Sequence, residues 1–222
     1  MIDSKKLDVP RSISIIQALI VATQVIITSI ITYYVTNFSI HPALSILKML
    51  IQLASFILVL MYSQAITNWV ILRITRPSIN QYKLLMTIQL STFLLLPLIP
   101  FPQIIIPFLR IAGAKIGRNV IIVVGTIIIE PHLLEIGDRT QLGAFVIITV
   151  HVTEKDSSLI KKIKIGSDVL VGAKTIIQPG VEIGNNSVIA MSSNVKKNTV
   201  IPANTLWGGT PAMQRGRSRS RR

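Results

Sequence analysis

Aliphatic side chains return at every sixth position through the second half of the chain. Ile165, Val171, Ile177, Ile183, Ile189, Val195 and Ile201 keep one register, and Trp207 closes it. Four residues after each aliphatic stands a small or β-branched residue: Val169, Thr175, Val181, Ser187, Ser193, Thr199 and Thr205. Three residues after it stand Asp168, Lys174, Gly180, Asn186, Ser192, Asn198 and Asn204, five of which are Gly, Asn or Asp, the types that best tolerate a left-handed backbone. A short strand and a sharp corner, repeated three times per coil, predict a triangular prism with stacked aliphatics inside. The same spacing runs earlier through Ile116, Ile122 and Ile128. After a two-residue slip around Pro131 and His132 it resumes at Ile136, Leu142 and Ile148. The segment from His151 to Ile163 is too polar for prism wall and is expected to protrude as a loop. A solenoid needs both ends covered, so the segment before Ile116 should cap the first coil, and Trp207 with the chain after it the last.

The first half shows no such spacing. No formal charge occurs from Ser12 to Leu47 or from Met49 to Leu72, and each stretch exceeds the roughly 20 apolar residues a membrane span needs. Two transmembrane helices are predicted, joined near Asn37 to Pro42, with Lys48 snorkelling to the outer surface. Lys5, Lys6 and Arg11 precede the first helix, and Arg73, Arg76 and Lys83 follow the second, which makes both outer ends cytoplasmic. The apolar region is too long for a cleaved signal peptide. A third uncharged stretch, Leu84 to Leu109, carries Pro97, Pro100, Pro102 and Pro107, so a re-entrant or interfacial segment is expected in place of a third crossing. The organisation predicted is a membrane domain over 1–110, a β-helix domain over 111–213 and a basic tail over 214–222. The fold class is N-terminal transmembrane α-helices followed by a left-handed parallel β-helix.

Composition agrees with that division. The 222 residues are 50% hydrophobic and 14% charged, and no Asp or Glu stands between Asp8 and Glu130. With no cysteine there is no disulfide framework, thiolate metal site or cysteine nucleophile to consider. A net charge of +14 favours anionic partners, and Arg215, Arg217, Arg219, Arg221 and Arg222 crowd the final segment. These cations lack interleaved aromatics, so anionic lipid explains them better than nucleic acid does.

Three histidines occur, and of His41, His132 and His151 only the last opens the extruded loop. Imidazole suits proton transfer near neutral pH, and Glu154 and Asp156 in the same loop are candidate orienting carboxylates. The competing reading is a solvated histidine, with both acids paired to Lys155, Lys161 or Lys162.

The repeats, the histidine-bearing loop and the closing Trp207, Gly208, Gly209, Thr210, Pro211 and Ala212 resemble the hexapeptide-repeat acyltransferases, such as the maltose and galactoside acetyltransferases. The run from Gly113 to Gly117 and the HVTEKD segment at 151–156 are also similar to the membrane-bound terminal domains of polylysine-synthase-type peptide synthetases. The resemblance implies an acyltransferase that uses acetyl-coenzyme A or another acyl-coenzyme A as co-substrate, with no metal, and it implies a homotrimer. It makes His151 the catalytic base. Ala173 and Met191 would line the pantetheine arm, and Lys196, Lys197 and Arg215 would lie near the cofactor phosphates. The acetyltransferases have more histidine and a longer acceptor-binding loop, so the acceptor class does not carry over. The anchor points to a small-molecule or lipid-linked acceptor met at a cell membrane, with the β-helix cytoplasmic. Two alternatives stand beside this. One is a non-catalytic, membrane-tethered trimeric scaffold. The other, a zinc site like that of the β-helical carbonic anhydrases, needs three histidines, and the helix-rich half holds one of the three here.

Overall fold

In a computed structural model of the chain, residues 2–3, 11–37, 45–75, 81, 84–85, 101–154 and 157–218 are described. The chain divides into two compact units, residues 9–95 and residues 1–8 with 96–222.

The first unit contains α1 (Arg11–Thr36) and α2 (Ser45–Ile74), packed on each other. Each is long and apolar enough to cross a membrane. Their burial is inverted relative to a water-soluble helix pair. Among the described side chains of α1, the buried ones are Gln17, Gln24, Thr28, Thr32 and Thr36, all polar, while Ile15, Leu19, Ile26, Ile30 and their apolar neighbours are exposed. On α2, Gln64 and Asn68 are buried with Met61, Ala65 and Ile71, whereas Ile46, Met49, Leu50 and Leu53 face outward. Gln24 Nε2 donates to Thr67 Oγ1 across the pair at 2.7 Å. Water drives apolar surface inward, while a lipid surround removes that drive and leaves polar side chains to pair between helices. Among these residues the join expected near Asn37 to Pro42 is described only at Asn37.

The second unit opens with α3 (Pro102–Ile111), whose Phe108 and Leu109 are fully buried beneath the first coil. Arg110 fastens it there, donating from Nε to the Ile116 carbonyl at 3.1 Å and from Nη2 to the Gly117 carbonyl at 2.6 Å. This corrects the reading of Leu84 to Leu109 as one membrane-surface segment, because its last eight residues are a prism cap. The rest of that stretch, 86–100, lies outside the described residues.

The N-terminal strand β1 (Ile2–Asp3) belongs to this second unit. Coil one holds β2 (Lys115–Ile116), β3 (Ile121–Ile122) and β4 (Ile127–Ile128), and coil two holds β5 (Leu134–Ile136), β6 (Gln141–Leu142) and β7 (Ile147–Ile148). A protruding hairpin, β8 (His151–Glu154) and β9 (Ser157–Ile160), then interrupts the wall, with β1 pairing antiparallel to β9. Coil three follows with β10 (Ile163–Ile165), β11 (Leu170–Val171) and β12 (Ile176–Ile177), and coil four with β13 (Glu182–Ile183), β14 (Val188–Ile189) and β15 (Asn194–Val195). The last coil has β16 (Val200–Ile201) and β17 (Thr205–Gly208), and β18 (Met213–Arg217) folds back antiparallel on β17.

Three parallel sheets make the faces of a prism. On the first face Ile116, Ile136, Ile165, Ile183 and Ile201 are in register. The second aligns Ile122, Leu142, Val171, Ile189 and Trp207, and the third Ile128, Ile148, Ile177 and Val195. Apart from half-buried Trp207, every one of these is buried, so the sixfold spacing builds the core as expected. The small residues at the second inward position also have a bonding role. Thr175 and Ser193 donate to the Ala190 carbonyl, and Ser187 and Thr205 to the Pro202 carbonyl, at 2.6–3.1 Å. Carbonyls turned inward at the corners are thereby satisfied.

The corners are left-handed, but less selective than the sequence pattern implied. Alongside Asp168, Asn186, Asn198 and Asn204, positive φ occurs at Glu130, Arg139, Phe145, Lys174 and Ser192. Two boundaries also move. Ile163 is wall, fully buried in β10, so the loop ends a residue earlier, and Gln214 to Arg217 are part of β18 instead of a free tail.

Candidate active site

Each coil turns from its third face back to its first at one corner, and in two successive coils that corner is irregular. In coil one, Glu130 takes φ 57° and a 3-10 turn, Pro131–Leu133, absorbs the two-residue slip. In coil two the same corner extrudes the β8–β9 hairpin, which starts at His151. The ladder stacks the two places directly, since the Ile129 amide donates to the Ile148 carbonyl at 3.0 Å. His151 Nδ1 and Glu130 Oε2 therefore meet at 3.0 Å.

The Glu130 side chain is 1% exposed and that of His151 is 24% exposed. With the carboxylate oxygen accepting from Nδ1–H, the imidazole is held in the tautomer whose lone pair is on Nε2. The hydrogen bond to Glu130 is the largest influence on His151 and raises its pKa above the usual 6.5, against burial, which lowers it. His132, at the same corner, is pushed the other way, because burial outweighs the favourable charge of Glu130. The loop is held at its root. Thr149 Oγ1 donates to the His151 carbonyl at 2.7 Å, and the Lys161 amide to the Val150 carbonyl at 2.8 Å. From the far side Lys161 Nζ reaches Asn198 Oδ1 at 2.8 Å, and Lys162 Nζ reaches Glu135 Oε1 at 2.8 Å.

Among the described residues the carboxylate on His151 is Glu130, which is not one of the two expected. Glu154 ends β8 opposite Ser157, and its side chain lies outside the described residues, as does Asp156 altogether. The sequence held a signal for Glu130: it is the first acid after 121 residues without one, and it ends the most apolar coil of the prism. A charge in that setting needs a partner.

Ala173 and Met191 stack on neighbouring coils at the corner between second and third faces. The backbones are so close there that a Cβ on Gly172 would strike the Met191 amide. Met191 is 67% exposed. Lys196 is exposed and Lys197 half-buried, its amide donating to Gln178 Oε1 at 3.2 Å. The pair sits at the His151 corner two coils further on, about 10 Å along the prism at the usual strand spacing. Exposed Arg215 lies on β18, its Nε donating to the Gly208 carbonyl at 3.2 Å. Among the described residues no three His, Cys, Asp or Glu side chains gather as a metal site.

Residues 162–197 match the family model described as bacterial transferase hexapeptide (six repeats), and the prism is a hexapeptide-repeat domain. The chain is 34% identical over 107 residues to galactoside O-acetyltransferase of Escherichia coli (strain K12), covering 45% of this chain and 52% of that one. It is 32% identical over 117 residues to delta-poly-L-ornithine synthetase of Acinetobacter baumannii (strain AB307-0294), covering 53% of this chain and 8% of that one. A mitochondrial gamma carbonic anhydrase 2 of Arabidopsis thaliana is 31% identical over 98 residues, 43% of this chain and 35% of that one. The chain therefore spans about half the length of the galactoside enzyme and a small part of the synthetase. Its relatives include acetyltransferases of the hexapeptide-repeat kind.

Proposed function

We propose that this protein is a membrane-anchored acyltransferase that moves an acyl group from a coenzyme A thioester to a hydroxyl or amine acceptor. The observation that carries the reading is the imidazole of His151, held through Nδ1 by buried Glu130, on a hexapeptide prism related to acetyltransferases. Nε2 takes the proton from the acceptor O–H or N–H as that atom attacks the thioester carbonyl. The new C–O or C–N bond forms, the C–S bond breaks, and the imidazolium returns its proton to the departing thiolate. Glu130 stabilises the imidazolium while it exists. A positioned base of this kind typically contributes about 10² to 10⁴ in rate.

The coil has the left-handed sense of the acyltransferases it resembles, and the working form is a homotrimer with the donor in a groove between neighbours. Ala173 and Met191 flank the pantetheine arm, and Lys196, Lys197 and Arg215 supply charge to its phosphates. Glu154 and Asp156, in the same loop, are further candidate orienting carboxylates. The inverted burial of α1 and α2 supports a hairpin in the cell membrane, with the prism on the cytoplasmic side. The acceptor is accordingly lipid-linked or a small molecule met at the bilayer surface.

Because the chain has no cysteine, a thiol reagent does not react with the protein itself, and thiol gained over a reaction without acetyl-coenzyme A is free coenzyme A. Detergent-solubilised protein given acetyl-coenzyme A and membrane extract should release thiol. His151→Asn, which keeps a donor for Glu130, should fold and release none above background. Equal release by the variant overturns the assignment. A scaffold without catalysis predicts, in addition, no thermal stabilisation by millimolar acetyl-coenzyme A, since any ligand of the native state raises its stability.

A further inference from the structure

The hairpin that begins at His151 belongs to a sheet of three strands. Its middle strand is β9, with β8 on one side and β1, from the start of the chain, on the other. Ile2 faces Ser158, which faces Thr153, and Asp3 faces Ser157, which faces Glu154. The two halves of the hairpin have different supports. The root is tied to the prism, through the Lys161 amide on the Val150 carbonyl and Lys162 Nζ on Glu135 Oε1. The outer half, at Ser157 and Ser158, receives β1. A two-stranded hairpin is marginally stable in water, and a third strand is what lets such a sheet persist. That third strand comes from before α1, whereas the rest of the same compact unit follows α2 in the chain.

We propose that β1 is a clamp on the acceptor side of the active site, which holds the outer half of the hairpin where the acceptor lies as it meets His151. The proposal rests on the acyltransferase reading given above. Side chains alternate along a strand, so exposed Thr153 is on the same face of β8 as His151, about 7 Å further along. An acceptor that brings its hydroxyl or amine to the imidazole across that face lies over the row of Thr153, Ser158 and Ile2, whose last member is β1. The clamp separates the two substrates. Among the described residues β1 pairs with β9 and with no strand of the prism, where the donor groove is placed. His151 is itself held by Glu130 and by the root of the hairpin. Loosening β1 therefore weakens acceptor binding and leaves donor binding and the His151 titration as they were. A strand that served the fold alone would not divide the kinetics in this way.

The cysteine-free chain allows engineered pairs to report the contact in the full-length protein. Facing residues of an antiparallel pair have Cα atoms about 4.5–5.5 Å apart, inside the span of about 4.4–6.8 Å that a disulfide bridges. Asp3→Cys with Ser157→Cys, or Ile2→Cys with Ser158→Cys, should close on mild oxidation, and Asp3→Cys with Val200→Cys, exposed on the last coil, should not. Ile2→Pro together with Asp3→Pro removes both backbone donors of β1. In that variant the amides of Thr153, Glu154, Ser157 and Ser158 should exchange hydrogen severalfold faster, and those of Ile163 to Ile177 at the parent rate. With acetyl-coenzyme A and membrane extract, and with coenzyme A followed chromatographically, the half-saturating amount of extract should rise severalfold at an unchanged KM for acetyl-coenzyme A. No disulfide beyond the Val200 control, or unchanged exchange, overturns the clamp. Faster exchange with unaltered half-saturation by extract, or with the donor KM rising in step, assigns β1 to the fold alone and overturns the acceptor role. Should the Pro variant not fold, the Asp3→Cys, Ser157→Cys protein decides: half-saturation severalfold higher in its oxidised than in its reduced form overturns the proposal, and an equal or lower value supports it. Parent protein that releases no more coenzyme A than His151→Asn overturns the acyltransferase reading, and the acceptor role with it, before β1 is altered.

Discussion

Replacing Glu130 by Gln keeps the shape of the corner and removes one charge, which isolates what the carboxylate does for His151. In the ground state a neutral imidazole donates to Glu130 across 3.0 Å. In the transition state that imidazole is becoming a cation, and the same contact becomes a charge-assisted bond in a site where the acid is 1% exposed. Hydrogen bonds to charged groups contribute about 1.5–3 kcal/mol, and at about 1.4 kcal/mol per factor of ten the loss should be about 10- to 150-fold in turnover. A larger loss, toward about 10⁴, would follow if the new amide donated to Nδ1 and drove the proton onto Nε2, as the wrong tautomer does in a Ser-His-Asp triad. The pH profile supplies a second readout. Glu130 raises the His151 pKa above 6.5, so the base form accumulates only above that value, and the acid limb of kcat/KM should lie there. In Glu130→Gln the limb should move to lower pH, while peak activity falls. The linked stability has the opposite slope: the pairing stabilises the fold fully below pH 6.5 and loses that contribution as pH rises through the elevated pKa. With only three histidines in the chain, imidazole resonances can be followed individually by NMR. Unchanged turnover together with an unchanged His151 titration would refute the pairing as a working element.

Ile148 is fully buried at the centre of the third face, so Ile148→Ala should cost about 2–5 kcal/mol in denaturant unfolding, the range for such cavities. Gly172→Ala forces a Cβ against the Met191 backbone and should cost about 1–3 kcal/mol, read the same way, with Met191 displaced. Glu135 is held at a pKa of about 2, from an ordinary 4.5, by hydrogen bonds from Lys162 and Lys115. The stabilisation from that pairing is present above pH 4.5 and lost as pH falls through about 2, so Glu135→Gln should lower the melting temperature in the neutral range and flatten its fall between pH 4.5 and 2, with the two proteins converging at the acid end.

The core of the prism was legible because its physics is periodic. One inward side chain per six residues must be aliphatic, and any departure from Ile165 to Ile201 would have left a hole. The inverted helix hairpin was legible only as length and apolarity. That Gln24 and the Thr28, Thr32 and Thr36 row share one buried stripe is clear in retrospect from their spacing of four. A cap before Ile116 was expected, but how far back it reaches was not legible, because Pro102 to Leu109 are as apolar as a membrane segment and what distinguishes Phe108 and Leu109 is the prism beneath them. The corner series from Asp168 to Asn204 was legible, Lys174 and Ser192 included, but the corners of the earlier coils were not, since Glu130, Arg139 and Phe145 take the left-handed backbone where the stacked coils on either side fix it whatever the side chain.

Glu130 escaped notice for a related reason, and the reason bears on where function sits in such a fold. A strict hexad wall leaves no room for chemistry, since each side chain is committed to the core, to a corner, or to a flat outer face. Space for a base and its orienting acid exists only where the repeat breaks. Here it breaks twice at one corner in adjacent coils, first by the two residues around Pro131 and His132 and then by the hairpin from His151. Taken singly, the first break reads as a bulge and the second as a surface loop. Stacked by the ladder at Ile129 and Ile148, they put a buried carboxylate directly under an imidazole. The rule transfers to other solenoids: interruptions spaced by one full coil fall on the same corner, and titratable residues at both are the pair to test first.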